Sequence, residues 1–179
     1  MSQGNEPLRL MSLLELARKA TPDVFAVRLG GGPVLVRQQP AEEDEDGWSF
    51  NTASRLTAVV DTAPGRELVL HSDDLVHVVR KAHVGAAFAR TILIGRADSN
   101  DIRLPHPSVS KLHARIQRDP QDRYLLSDAA SQNGTQVEGR RLEADESVEL
   151  TEGAWIRMGD LSMCYLTLDR FYEVVRRIH

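Results

Sequence analysis

The stretch GRADSNDIRLPHPSVSKLHARIQ, residues 95–117, holds two short apolar runs, DIRL and HARIQ, on either side of a loop containing Pro105 and Pro107. An arginine, a serine, a lysine and a histidine gather around these turns with no acidic partner at fixed spacing. Ser110 and His113 invite a hydrolase reading, which needs a carboxylate to orient the histidine. The surplus of donors invites a recognition reading, which needs an anion. The strands on either side decide what scaffold carries these loops.

From about residue 67 onward the same texture repeats. ELVLH, LVHVV, TILIG, DIRL, HARIQ, YLLSD, TQVEG, SVEL, AWIRM and MCYLTL follow one another, split by Gly85, Asn100, Pro105, Pro107, Pro120, Gly134, Gly139, Gly153 and Gly159. Short strands at this spacing predict a mainly β sandwich rather than alternating β and α units. The closing segment DRFYEVVRRIH sets Phe171, Val174, Val175 and Ile178 on one helical face, with Asp169 at the expected N-cap and Arg176 and Arg177 at the C-terminal end. Upstream, Leu10, Leu13, Leu14 and Ala17 predict a short amphipathic helix ended by Thr21-Pro22. FAVRL and PVLVR, separated by Gly30-Gly31-Gly32, read as a strand pair around a glycine turn, and LTAVVD as a further apolar run. The expected division is an N-terminal extension over 1–66, a helix plus strands that dock on the sandwich, extend it or recruit a second partner, and a β domain with its closing helix over 67–179.

Bulk properties narrow the function. With 41% hydrophobic and 27% charged residues the chain is ordinary for a globular protein, and its net charge of −4 gives no global field for nucleic acid. The five acids from Glu42 to Asp46 read as a solvated loop. No segment reaches the ~18 uninterrupted apolar residues of a membrane span, and the N-terminus lacks a signal-peptide pattern, so the chain reads most simply as cytoplasmic and without a membrane partner. Cys164, the single cysteine, sits in an apolar run and reads as core. His71, His77, His83, His106 and His179 show no metal-ligand spacing with each other or with Cys164, so no metal and no cofactor are expected.

The donors sit in three loops: Arg96 after TILI, Ser110 and Lys111 before HARIQ, and Gln132, Asn133 and Thr135 after YLLSD. Loops leaving neighbouring strands converge at one end of a sandwich. A donor-rich, acceptor-poor cluster suits a phosphoryl group, which carries about −1.5 to −2 charge and three acceptor oxygens.

Gly95-Arg96, then SVSKLHA (108–114), then SQNGTQVEG (131–139), in this order, closely resemble the forkhead-associated, or FHA, domain over roughly residues 72–175. The resemblance implies an FHA-type sandwich of about eleven strands and a phosphothreonine-binding end, arginine-based phosphopeptide recognition being the family's mode. By position it implies Arg96 and Ser110 on the phosphate, Lys111 beside them, and Asn133 on the peptide main chain. It makes His113 the brace of the Ser110 loop and Gly134 the residue that permits the turn after Asn133. Two positions depart from the family pattern: Gln132 replaces a usual Ser or Thr, and Glu138-Gly139 replaces a usual Asn-Gly turn. The expected function is therefore a non-enzymatic phosphothreonine-binding adaptor in Ser/Thr-kinase signalling, its partner a phosphothreonine-containing protein such as a kinase or a kinase substrate. The alternatives are a phospho-independent assembly module with a decayed phosphate site, favoured by Gln132, and an esterase or phosphatase built on Ser110 and His113.

Overall fold

The structure is a computed structural model that describes residues 6–37, 57–63, 66–82 and 89–178. Its elements begin with β1 (Leu8–Arg9), α1 (Leu10–Lys19), α2 (Pro22–Leu29), β2 (Val34–Arg37), β3 (Thr57–Ala63), β4 (Arg66–His71) and β5 (Leu75–Val78). There follow β6 (Thr91–Gly95), β7 (Ile102–Arg103), β8 (Ala114–Arg118), β9 (Tyr124–Asp128) and β10 (Thr135–Val137). The chain ends with β11 (Arg140–Arg141), β12 (Ser147–Glu149), β13 (Trp155–Met158), β14 (Leu161–Leu166) and α3 (Leu168–Arg177).

Two sheets face each other. One has the order β1-β5-β2-β14-β13-β10-β11, the other β12-β9-β8-β6-β7; β3 and β4 form a separate hairpin. The sandwich interior is filled by Leu35, Ile94, Ile116, Leu126, Ile156, Met158, Met163 and Tyr165, among others. A second apolar cluster lies on the outer face of the seven-stranded sheet. There Val34, Val36, Val76, Val78, Cys164 and Leu166 meet Leu10, Leu14 and Ala17 of α1, Phe25 and Leu29 of α2, and Phe171 and Val175 of α3. β2 and β14 are thus buried on both faces, which is why VLV and MCYL read as unbroken apolar runs instead of alternating ones. Cys164 is core, as expected, and burial pushes its thiol up to about 12.

Among the described residues the two sheets hold twelve strands, and eleven when the two-residue edge strand β1 is set aside. Reaching eleven requires β2, which lies between β5 and β14 and pairs with both. The expected boundary at residue 66 therefore falls across a continuous sheet: the N-terminal segment supplies a central strand of the sandwich as well as its helical cover. The hairpin β3–β4 joins the same cover through Val60, Leu68 and Leu70.

Two local expectations are corrected. FAVRL is the body of α2, not a strand. Pro22 occupies the first helical turn, Gly30 ends the helix in the left-handed region (φ 83°), and Phe25 and Leu29, four residues apart, are the buried pair. Burying a ring such as Phe25 contributes roughly 1.5–3 kcal/mol, and in the helix that ring packs against Phe171 and Tyr172 of α3. At α3 the N-cap is Thr167, whose Oγ1 accepts from the Arg170 N–H at 3.3 Å. Asp169 lies in the first turn, where its charge still suits the helix dipole. The acidic run 42–46 and His83 and His179 lie outside the described residues.

Candidate functional site

Three connections meet at one end of the sandwich: the β6–β7 turn with Arg96, the β7–β8 loop with Ser108 to Lys111, and the β9–β10 loop with Ser131 to Gly134. Their backbones are tied together directly. Arg96 N–H donates to Ser110 O (2.9 Å) and Ala97 N–H to Lys111 O (3.1 Å). This approach is why residue 95 is glycine: a Cβ there would overlap the carbonyl oxygen of Lys111. Asn100 locks the same junction, its amide donating to Ala97 O (2.9 Å) and Lys111 O (2.6 Å).

His113 joins the second loop to the third. Its Nδ1 accepts from the Ser110 N–H (3.1 Å), so Nε2 carries the proton and donates to Gly134 O (3.1 Å). The ring is fully buried, and burial lowers its pKa, outweighing the opposing Gly134 hydrogen bond and the nearby Asp128 charge. With both nitrogens committed to backbone, the ring has none left to take a proton from the Ser110 hydroxyl. That hydroxyl instead accepts from the Gln132 N–H (3.0 Å), which leaves its own proton to point outward. The nucleophile–base contact that a Ser110–His113 hydrolase needs is absent among these bonds.

The third loop is built on Asp128, a residue that sequence reasoning did not single out. Its carboxylate accepts from Ser131 N (2.8 Å), Ser131 Oγ (2.7 Å) and Thr135 Oγ1 (2.6 Å). Partial burial alone would raise this carboxyl's pKa, but the Thr135 and Ser131 hydrogen bonds outweigh it and hold the value below the usual range. Ser131 Oγ in turn accepts from Gly134 N (2.9 Å). The signal for this was an aspartate three residues before a serine, an Asx-type pattern hidden because Asp128 also ends a strand. Ser108 was missed as well: its hydroxyl lies 2.7 Å from His106 Nδ1 and accepts from Asp160 N (2.9 Å), fixing the second loop to the β13–β14 turn.

The expected site residues separate into two groups. Arg96, Lys111, Gln132 and Asn133 are exposed and Ser110 is half-buried, all around the joined loops. Arg96 spends its Nε on Val109 O (3.1 Å) and Asn133 one amide hydrogen on Ser108 O (2.7 Å), so each is oriented while keeping donors in reserve. Thr135 is the exception. It is fully buried and its hydroxyl is committed to Asp128, so it belongs to the frame beneath the site and not to its donors. Gly95, His113 and Gly134 also stand in that frame, and Gly134 adopts φ 78°. The Glu138-Gly139 turn also forms, with both residues in the left-handed region (φ 52° and 77°). Glu138 offsets its unfavourable backbone by accepting from Trp155 N (2.7 Å) and Arg66 (2.8 Å).

Residues 92–159 match the family model described as the FHA domain. EmbR of Mycobacterium tuberculosis, described as a transcriptional regulatory protein, is 33% identical over 129 residues, which cover 70% of this chain and 31% of EmbR. The FHA domain-containing protein PS1 of Arabidopsis thaliana is 33% identical over 88 residues, covering 46% of this chain and 6% of PS1. The chain thus spans less than a third of the length of these relatives. Among solved structures, the N-terminal FHA domain of Saccharomyces cerevisiae Rad53p, in complex with a phosphothreonine peptide, aligns over 64% of this chain and 96% of that one, with a TM-score of 0.43 and 21% identity.

Among the described residues no group of His, Cys, Asp and Glu is placed to hold a metal ion. No described helix is long and apolar enough to cross a membrane.

Proposed function

We propose that this chain is a phosphothreonine-peptide-binding adaptor module in Ser/Thr-kinase signalling. It acts by recognition without a cofactor, and its partner is a phosphothreonine-containing protein, a Ser/Thr kinase or a substrate of one. One observation carries the reading: Arg96, Ser110, Lys111 and Asn133 come from three cross-tied loops, each leaving donors that no described carboxylate takes up. A phosphoryl group of about −1.5 to −2 charge matches that surplus, and the arginine fork can hold it through two parallel bonds. In this reading Arg96 and Ser110 bind the phosphate, Lys111 adds charge, and Asn133 holds the peptide backbone. Gln132 ties its backbone to Ser110 and offers its side-chain amide in place of a hydroxyl.

The test is fluorescence anisotropy with a phosphothreonine peptide library, alongside phosphoserine and unphosphorylated versions. The expected result is binding that requires the phosphate and falls at least roughly thirty-fold in Arg96→Ala, the loss of a bidentate charge-assisted contact. Binding indifferent to phosphate across the library would instead identify a phospho-independent assembly module.

A further inference from the structure

One arginine beside the site has no role in the reading above. Arg141, in β11, pairs with Gln136 of β10, so both side chains lie on the outward face of the seven-stranded sheet. Gly134, two residues before Gln136, shares that face. The guanidinium of Arg141 occupies the space that a side chain at 134 would fill: a Cβ there would lie 2.6 Å from its Cζ and Nη2. A fork of N–H donors is therefore laid against the backbone one residue from Asn133.

Nearby arginines are paired. Arg140 is bound to Glu146 (2.6 Å), Arg66 to Glu138 (2.8 Å), and Arg157 lies 3.8 Å from Asp160 and donates to Gly159 O. Among the described residues Arg141 has no such carboxylate. On the other side of Gln136, Arg157 stands in cross-strand register, and an open cleft of about 530 Å³ begins there, lined by Gln136, Trp155, Arg157 and Ser162. A chain leaving the phosphate loops over Gly134 would pass Arg141 before reaching that cleft.

We propose that Arg141 forms a carboxylate-binding subsite that reads an acidic side chain of the partner peptide near its phosphothreonine. The inference rests on the phosphothreonine reading and deepens it. An exposed guanidinium with a planar donor fork and no internal counter-charge is complementary to an aspartate or glutamate, and its position against Gly134 restricts its rotamers before the ligand arrives.

The experiment uses the full chain and anisotropy with two peptide sets: one phosphothreonine flanked by alanines, and a scan placing a single Asp at each flanking position. The wild type is expected to favour Asp at one or more positions by roughly ten-fold, weakening as salt is raised. Asn at the same position should lose that preference. Arg141→Ala should reduce it to within about two-fold while leaving the alanine-flanked peptide's affinity nearly unchanged. Arg115→Ala, an exposed arginine on the opposite sheet, should leave both affinities as they are. Equal losses for both peptides in Arg141→Ala would mean that Arg141 only braces the Gly134 turn, and would overturn the subsite. So would a wild type indifferent to Asp at every position. Failure of the underlying reading looks different: no peptide would then show phosphate-dependent binding sensitive to Arg96→Ala, and the subsite would fall with it.

Discussion

Among the described residues two histidines are fully buried, and their surroundings are opposite. His113, at the loop end, has a partner for each ring nitrogen. His77, in β5, faces the sandwich interior opposite Leu35, and neither of its nitrogens has a hydrogen bond among the described residues. Burial, and then the neighbouring Arg37 charge, lowers its pKa from 6.5 to about 4. The first ring converts loose loops into a defined surface. The second is an apolar residue in all but composition, and it costs stability wherever its ring would otherwise be hydrated. Polar burial positions the loops at one end and is a liability in the strand core.

Removing His113 is expected to have the larger effect. His113→Ala deletes a buried ring and leaves the Ser110 N–H and the Gly134 carbonyl without their common partner. Urea titration should show a loss of about 3–4 kcal/mol. Phosphopeptide affinity, measured at a temperature where the variant is still folded, should fall as well, because the Ser110 loop and the Asn133 loop lose their link. Full stability loss with unchanged affinity would show that the backbone ties through Arg96 and Asn100 position the loops without the ring.

How much of this contrast was legible follows from its physics. The gathering of Arg96, Ser110, Lys111, Asn133 and His113 at one end was readable because loops of this type place chemistry at fixed intervals between strands. Asp128 was not, because an aspartate ending a strand looks the same whether it faces water or holds three hydrogen bonds. Thr135 was misplaced for a related reason: one residue into a strand decides between surface and interior, and TQV has no alternation strong enough to show which face threonine takes. The strand reading of FAVRL failed because a run of eight residues with valines suits either period, and only the helices packed around Phe25 decide it. The central position of β2 was invisible, since register across some forty residues of intervening chain leaves no local trace.

The lone ring of His77 predicts an acid-sensitive fold. Its folded pKa is depressed, so below about 6.5 the unfolded chain takes up a proton there that the folded chain refuses. Stability attributable to this group is therefore complete above pH 6.5, declines as pH falls, and is lost by about pH 4, a total of about 3 kcal/mol. His77→Leu should flatten this decline between pH 6.5 and 4.5, leaving the smaller slope due to His113. At pH 7.5, where the imidazole is neutral, the same variant should gain about 1–2 kcal/mol by replacing an unsatisfied polar ring with an apolar side chain. A pH profile in His77→Leu as steep as the wild type would locate the acid sensitivity elsewhere and weaken the contrast drawn above.

The smallest expected effect separates the frame of the site from its surface most cleanly. Thr135 lies directly after Gly134 and was expected to donate to the phosphopeptide, yet its hydroxyl donates to Asp128 from a fully buried position. Thr135→Val keeps the shape of the side chain and removes that one bond. Asp128 would retain both of its bonds from Ser131, so the third loop should keep its form. Stability should fall by about 1 kcal/mol, read by the urea midpoint. Affinity for an alanine-flanked phosphothreonine peptide should change by less than about two-fold, since no donor at the surface is touched. A ten-fold or larger loss of affinity at that small cost in stability would place the threonine hydroxyl on the ligand after all, and with it a rearrangement of the Asp128 loop on binding. A loss of affinity and stability together would mean that the loop needs all three bonds, so that the frame and the surface are one cooperative unit.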